Sequence, residues 1–307
     1  MRYYRLMLGR GSMYAERCLT EHFVGADFGI EKDLTNALPE GWRDFNAAFI
    51  PVYRTNKPEK SKIAAGLACG MLWTVCKGIK LGDVVFCPDG KSGSYRVGEI
   101  TGNYTYAPGQ VLPHRRTVRW LTQCIDRSEM SDALRRSCSF FGTVCDISAH
   151  QEEIERLLDS HDPGPMGPGE TIENHVAFAL EKHLEDFLVA NWTQTELGRD
   201  YNIYEEDGEQ IGQQYNTDTG PIDILAIRKD KRELLVVELK RGRAADVVVG
   251  QVLRYMGYVA QELAEHGQTV KGVIIAQDDD QRIRRALAVT PNVSFYRYQM
   301  SFNLLAS

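Results

Sequence analysis

Two stretches decide the fold of the second half of the chain: GPIDILAI at residues 220–227 and ELLVVELK at residues 233–240. Both are almost wholly apolar and a short charged segment separates them, so they predict two strands joined as a hairpin. Side chains alternate along a strand, which places Glu238 and Lys240 on the same face. Asp223 interrupts the apolar run of the first strand, and pairing the strands can bring the three charged groups together.

These charged groups have a chemical use. A carboxylate or an amine within a buried strand is costly unless it is paired or binds a metal. Asp223, Glu238 and the Leu239 carbonyl are suitable ligands for Mg²⁺ or Mn²⁺, which would polarise a phosphodiester and lower the pKa of a bound water. Lys240 would orient that water or neutralise charge in the transition state. The alternative is a buried Glu238–Lys240 ion pair without catalysis.

The segments around the hairpin predict an α/β sandwich with a central mixed sheet. Residues 172–188 carry an apolar stripe at helical spacing, and residues 246–266 form a long amphipathic pattern. Residues 270–276 and 293–298 are strand-like. Helix, hairpin, helix and strand in this order are typical of one sheet covered by helices.

The hairpin motif resembles a known class of nuclease. Asp223 followed by Glu238-Leu239-Lys240 resembles the PD-(D/E)XK motif. ELKRGRA at residues 238–244, followed by GQVLRYMG at residues 250–257, resembles the C-terminal nuclease domain of the NucS endonucleases. EKHLEDFL upstream and GVIIA downstream are similar as well, so the resemblance covers about residues 170–305. It implies a restriction-endonuclease-like fold.

The resemblance also implies roles for individual residues. Asp223 and Glu238 would bind the metal and Lys240 would be the catalytic lysine, with Gln251 completing the site. An acidic residue of the first helix would assist, and both Glu181 and Glu185 fit that position. Three arginines would contact phosphates, since guanidinium groups suit phosphate oxygens. They are Arg241, Arg243 and Arg254.

Composition and a proline- and glycine-rich segment predict two domains. Residues 161–169 alternate prolines and glycines, which favour neither helix nor strand. We therefore expect a first domain at 1–160, a linker at 161–169 and a second domain at 170–307. The formal net charge of −6 argues mildly against a general polyanion binder. We find no signal peptide or membrane span, and seven cysteines without zinc spacing predict reduced thiols in a cytoplasmic protein.

The first domain has short apolar runs broken by glycine, and predicts an α+β domain with a small curved sheet or barrel. Aromatic and basic residues at 95–120 suggest contacts with bases and phosphates. This run resembles the reader domains of modification-dependent restriction enzymes and, more loosely, PUA/EVE-like barrels; it does not resemble the N-terminal domain of NucS. The candidates for a base pocket and for phosphate contact are Trp73, Tyr104, Tyr106, Trp120, His114, Arg115 and Arg116. The alternatives are core aromatics and a solvated basic loop.

The sequence therefore predicts a DNA endonuclease that restricts foreign or modified DNA. One alternative is cleavage of mismatched or branched DNA in repair, and another is a nucleic-acid-binding module without catalysis. RNA stays open as a substrate, because phosphate contacts do not exclude it. A homodimer would supply two active sites for the two strands of a duplex.

Overall fold

A computed structural model describes residues 1–90, 93–139, 142–159, 184–206, 208–217 and 219–299. The chain divides into two compact units, residues 1–168 and 169–307. The linker predicted at 161–169 and the candidate Glu181 lie outside the described residues. Within those residues, no helix is both long enough and apolar enough to cross a membrane.

The first unit mixes helices with one sheet. Its strands are β1 (Tyr3–Leu6), β2 (Phe23–Ala26), β3 (Val84–Pro88), β4 (Ser94–Tyr106), β5 (His114–Asp126) and β6 (Val144–Asp146). Its helices are α1 (Ala15–Thr20), α2 (Trp42–Asn56), α3 (Lys62–Trp73), α4 (Asp132–Cys138) and α5 (Gln151–Asp159). Helix α3 continues as a π-helical turn at Thr74–Gly78.

The sheet of the first unit runs in the order β2-β5-β4-β3-β1-β6, with β1 parallel to β3 and antiparallel to β6. Alternate residues of β3 belong to different apolar clusters. Val85 packs with residues of α2 and α3, whereas Val84 packs with residues of α4 and α5. The sheet is thus covered on both faces. Register shifts in the β4–β5 ladder are typical of bulges, which bend strands. The predicted α+β unit with a small curved sheet is confirmed.

The second unit is built around a mixed sheet, as predicted. Residues 184–190 are helical (α6). The other helices are α7 (Glu196–Asp200), α8 (Val247–Tyr258) and α9 (Gln281–Leu287). The strands are β7 (Tyr201–Ile203), β8 (Glu205–Glu206), β9 (Glu209–Gln210), β10 (Gln213–Thr217), β11 (Gly220–Arg228), β12 (Glu233–Arg243), β13 (Thr269–Asp278) and β14 (Val293–Arg297).

The order of this sheet is β10-β11-β12-β13-β14, and β7 also pairs with β11. The predicted hairpin is confirmed, since β11 and β12 are antiparallel; β13 and β14 then add in parallel. Side chains of one face, such as Val237 and Val273, pack with Trp192 in one apolar cluster. Helix α8 covers the other face, where a Cβ at Gly272 would lie 2.5 Å from Val252 Cγ1.

Candidate active site

The candidate site lies where β11 and β12 stop pairing. Their ladder reaches Ile224 opposite Val237. One residue further, the Asp223 carboxylate accepts the Leu239 amide hydrogen bond, with 2.7 Å between N and Oδ2. On its other side β12 stays paired with β13 through Lys240. The strands therefore separate on one side only, and a carboxylate occupies the gap.

Strand register brings Glu238 and Lys240 to the face that α8 covers. Val236 is paired with Gly272, Glu238 with Ile274 and Lys240 with Ala276. Paired residues of neighbouring strands point to the same face, so both charged groups share the face of Gly272. Lys240 Nζ lies 2.8 Å from Glu238 Oε1, and the Glu238 side chain is only 2% exposed. The structure thus contains the ion pair that the sequence suggested.

The carboxyl of Asp223 is perturbed by its surroundings. Burial raises its pKa well above the ordinary value, and the negative charges of Glu238 and Glu185 raise it further. The Leu239 amide and Lys240 oppose this shift without cancelling it. A carboxyl whose pKa is raised by burial and by neighbouring charges is a characteristic of functional sites.

Helix α8 adds two polar side chains. Gln251 Nε2 lies 3.3 Å from the hydroxyl of Tyr255. Burial raises the pKa of Tyr255, and the charges of Glu238 and Asp223 add to this effect. The charges of both carboxylates therefore act on Tyr255, and Gln251 lies beside it.

Glu185 reaches the site through two glutamines of β10. Gln213 Nε2 donates to Glu185 Oε1 at 2.7 Å, and Gln214 Nε2 donates to Glu185 Oε2. Gln214 Nε2 also lies 3.2 Å from Asp223 Oδ1. Gln214 thereby connects Glu185 to Asp223, whereas Glu181 lies outside the described residues. Neither glutamine was predicted, although Gln213 and Gln214 lie only ten and nine residues before Asp223.

The donor set fits a hard divalent cation. In the described ranges no three His, Cys, Asp or Glu side chains converge to hold a metal. Mg²⁺ commonly uses one or two carboxylates and keeps several waters, so Asp223, Glu238 and the Leu239 carbonyl would suffice. Burial and the neighbouring Glu238 disfavour the charged form of Asp223, and a bound cation would stabilise that form.

The predicted phosphate-binding arginines occupy exposed positions on β12 and α8. Arg241 and Arg243 follow Lys240 on β12, and Arg254 lies on α8; all three are exposed. Arg243 Nε donates to the Asp279 carbonyl at 3.2 Å. Their role in DNA contact stays a prediction.

In the first unit, His114 and Arg116 lie inside rather than on a loop. His114 Nε2 lies 2.8 Å from the Ile30 carbonyl, so it carries the proton, and Nδ1 accepts from Tyr104 Oη at 3.0 Å. Burial lowers the pKa of His114. Arg116 donates to the carbonyls of Gly102 and Ile79 at 2.8 and 2.6 Å. The solvated-loop alternative is therefore wrong, because these residues open strand β5.

The other candidates of the first unit also have structural partners. The Arg115 guanidinium stacks over Phe23, 3.8 Å from the ring centroid. Trp73 and Trp120 donate from their indoles to the carbonyls of Pro39 and Cys18. Tyr106 is partly buried, with its ring 5.2 Å from that of His114. These contacts are those of core and rim residues; a base pocket formed by the aromatics stays a prediction.

Comparison with known proteins distinguishes the two parts of the chain. Residues 189–299 match the model of the endonuclease NucS C-terminal domain, and residues 6–145 match a domain of unknown function, DUF8426. No curated protein is significantly similar in sequence. The predicted resemblance of the second half to NucS is thereby confirmed, whereas the resemblance of the first half to reader domains is untested.

Two solved structures are distantly similar to the chain. One is a complex of EndoMS with double-stranded DNA, at 13% identity over 68% of this chain and 62% of that one, with a TM-score of 0.32. The other is a repair endonuclease from Pyrococcus abyssi, at 13% identity over 67% and 62%, with a TM-score of 0.31. The chain spans less than two thirds of either structure. Through the family match, residues 189–299 are similar to the C-terminal domain of the NucS endonucleases.

Proposed function

We propose that this protein is a divalent-metal-dependent DNA endonuclease whose reactive centre is formed by Asp223, Glu238 and Lys240. The observation that carries the proposal is their convergence at the point where β11 and β12 separate. This point lies within the region that matches the NucS C-terminal domain.

The residues would divide the chemistry between them. Asp223 and Glu238, with the Leu239 carbonyl, would hold Mg²⁺ or Mn²⁺. When bound, the cation would polarise a phosphate oxygen and lower the pKa of a coordinated water. Lys240, already 2.8 Å from Glu238, would stabilise negative charge that develops on the phosphate oxygens. The exposed arginines Arg241 and Arg254 would hold the DNA backbone near the site.

For the substrate, we propose foreign or modified DNA, with the first unit selecting the base or DNA feature. A second candidate is a mismatched or branched duplex, and the match to the NucS C-terminal domain favours it. Burial of His114 and Arg116 removes two of the proposed contacts from the surface of the first unit. The aromatic candidates and Arg115 are partly exposed and would have to supply recognition.

A panel of DNAs distinguishes these substrates. Matched duplexes of one sequence would carry either cytosine, a modified cytosine, or a single mismatch, and cleavage would be followed with Mg²⁺ and with Mn²⁺. Restriction predicts cutting that depends on the modification. Equal cutting of modified and unmodified duplexes would reject that role, and cutting confined to the mismatch would establish the repair alternative. Binding that persists in EDTA without any cleavage would favour the non-catalytic module.

A further inference from the structure

Gln214 has a backbone conformation that is unusual for a residue in a strand. Its φ of +51° lies in the left-handed region, which residues other than glycine rarely adopt. The neighbours on either side remain paired, Gln213 with Ile224 and Tyr215 with Ile222. The ladder thus continues past Gln214, and the distortion is confined to the residue that lies opposite Asp223.

This distortion changes where the two glutamines point. In a regular strand, adjacent side chains lie on opposite faces. Here Gln213 and Gln214 both donate to the carboxylate of Glu185, one to each oxygen. The left-handed turn at Gln214 therefore accounts for two successive side chains reaching the same group on α6.

The side-chain amide of Gln214 joins two carboxylates. Its Nε2 carries two hydrogens, and it donates to Glu185 Oε2 and, at 3.2 Å, to Asp223 Oδ1. Both carboxyl oxygens accept from Gln214, so its amide nitrogen and not its amide oxygen faces them. A neutral donor between the two carboxyl groups holds them close without placing a positive charge where a cation would bind.

We propose that Gln214 is a positioning residue that fixes Glu185 beside Asp223 in the active site. The inference rests on the proposed function, and it adds the residue that holds the carboxylate of Glu185, on α6, beside Asp223. Gln213 anchors the same carboxylate from its other oxygen, and its second contact, with Asp186 Oδ1 at 3.1 Å, fixes the amide in place. Strain at the backbone of Gln214 is maintained because these hydrogen bonds require it.

The test compares full-length variants in which one part of this arrangement is removed. Gln214→Gly removes the amide and accepts a left-handed backbone without strain. Gln213→Ala removes the anchor but not the bridge. Asn216→Ala, an exposed position on the same strand, is the matched control. Glu185→Ala alone and combined with Gln214→Gly completes a double-mutant cycle.

Three measurements are made on each variant: Mn²⁺ affinity by calorimetry without DNA, single-turnover cleavage at saturating Mg²⁺, and the melting temperature. We expect Gln214→Gly to lose about 10–100-fold in affinity or rate, as is typical for groups that orient a ligand. Gln213→Ala should lose less, and Asn216→Ala should match the wild type. The double variant should lose no more than Glu185→Ala alone, because Gln214 acts through Glu185.

Wild-type affinity and rate in Gln214→Gly would overturn the positioning role. So would losses that add fully to those of Glu185→Ala, or a lowered melting temperature with affinity and rate intact. If the wild type binds Mn²⁺ but cuts no DNA, the proposed function fails while the affinity cycle still decides the role of Gln214.

Discussion

The Asp223 carboxyl accepts the Leu239 amide while it faces the negative charges of Glu238 and Glu185. An acid whose pKa is raised on folding holds its proton more tightly in the folded protein than in the unfolded chain. The stability it contributes is present below the ordinary carboxyl pKa of about 4 and is lost as the pH rises toward the raised value. The metal-free protein therefore becomes less stable from mildly acidic to alkaline pH because of this group.

Asp223→Asn imitates the neutral acid and removes this dependence. In EDTA at pH 8 we expect its melting temperature to exceed that of the wild type, by about 2–4 °C for each kcal/mol of relieved charge. At pH 5 the difference should shrink. Glu205→Gln, at an exposed carboxyl, is the control and should show no such trend. A wild type that is more stable than Asp223→Asn at pH 8 would contradict the raised pKa.

Sequence predicted the charged residues of the site, because Asp223, Glu238 and Lys240 interrupt runs that are otherwise apolar. It could not predict the role of Gln214, because nothing in the residue sequence indicates that a glutamine within a strand adopts a left-handed backbone. The burial of His114 and Arg116 was open to prediction: both lie at alternate positions with buried Val118 on β5, which indicates a shared inward face.

Among the elements, helix α8 places Gln251 and Tyr255 beside the site. It rests on β13 at Gly272, where a Cβ would lie 2.5 Å from Val252 Cγ1 and 2.7 Å from Met256 Sδ. The amphipathic pattern of 246–266 predicted one long helix. The α-helix instead spans Val247–Tyr258 and ends in a π-helical turn at Val259–Leu263. Glycine at 272 is what lets the helix carrying Gln251 approach the sheet.

Gly272→Ala should separate α8 from β13. We expect it to lower the free energy of unfolding by about 1–3 kcal/mol, as overpacked cores do, and to slow cleavage because Gln251 and Tyr255 move. The matched control is Gly257→Ala on the same helix, where among the described residues nothing lies within 4 Å of the added Cβ. That change should stabilise the protein by about 0.5–1 kcal/mol through higher helix propensity.

Urea unfolding of the two glycine variants checks this account of the helix. A Gly272→Ala protein as stable as the wild type would mean that α8 moves away from β13 without a cost in the free energy of unfolding. The site would then have to tolerate a displaced Gln251, and the cleavage rate of the same variant would show whether it does.

At the scale of the whole molecule, the chain divides into two compact units, residues 1–168 and residues 169–307. Mostly apolar runs predicted strands β11 to β14 of the second unit. Strands β7 to β10 are short or polar, so no comparable signal predicted them. The six-strand order described for the first unit could not be predicted, because β1 and β6 pair with each other from opposite ends of that unit. Such long-range pairing leaves no local signal.

Metal-dependent cleavage of supercoiled plasmid by the full-length protein tests the central claim most directly. The wild type, Asp223→Ala and Lys240→Ala would be compared with Mg²⁺, Mn²⁺ or EDTA, with circular dichroism confirming that each is folded. We predict that the wild type nicks or linearises the plasmid only with metal, and that both variants are slower by at least about 10²-fold. Wild-type cleavage by Asp223→Ala, or no cleavage by the wild type with either metal, would contradict the account.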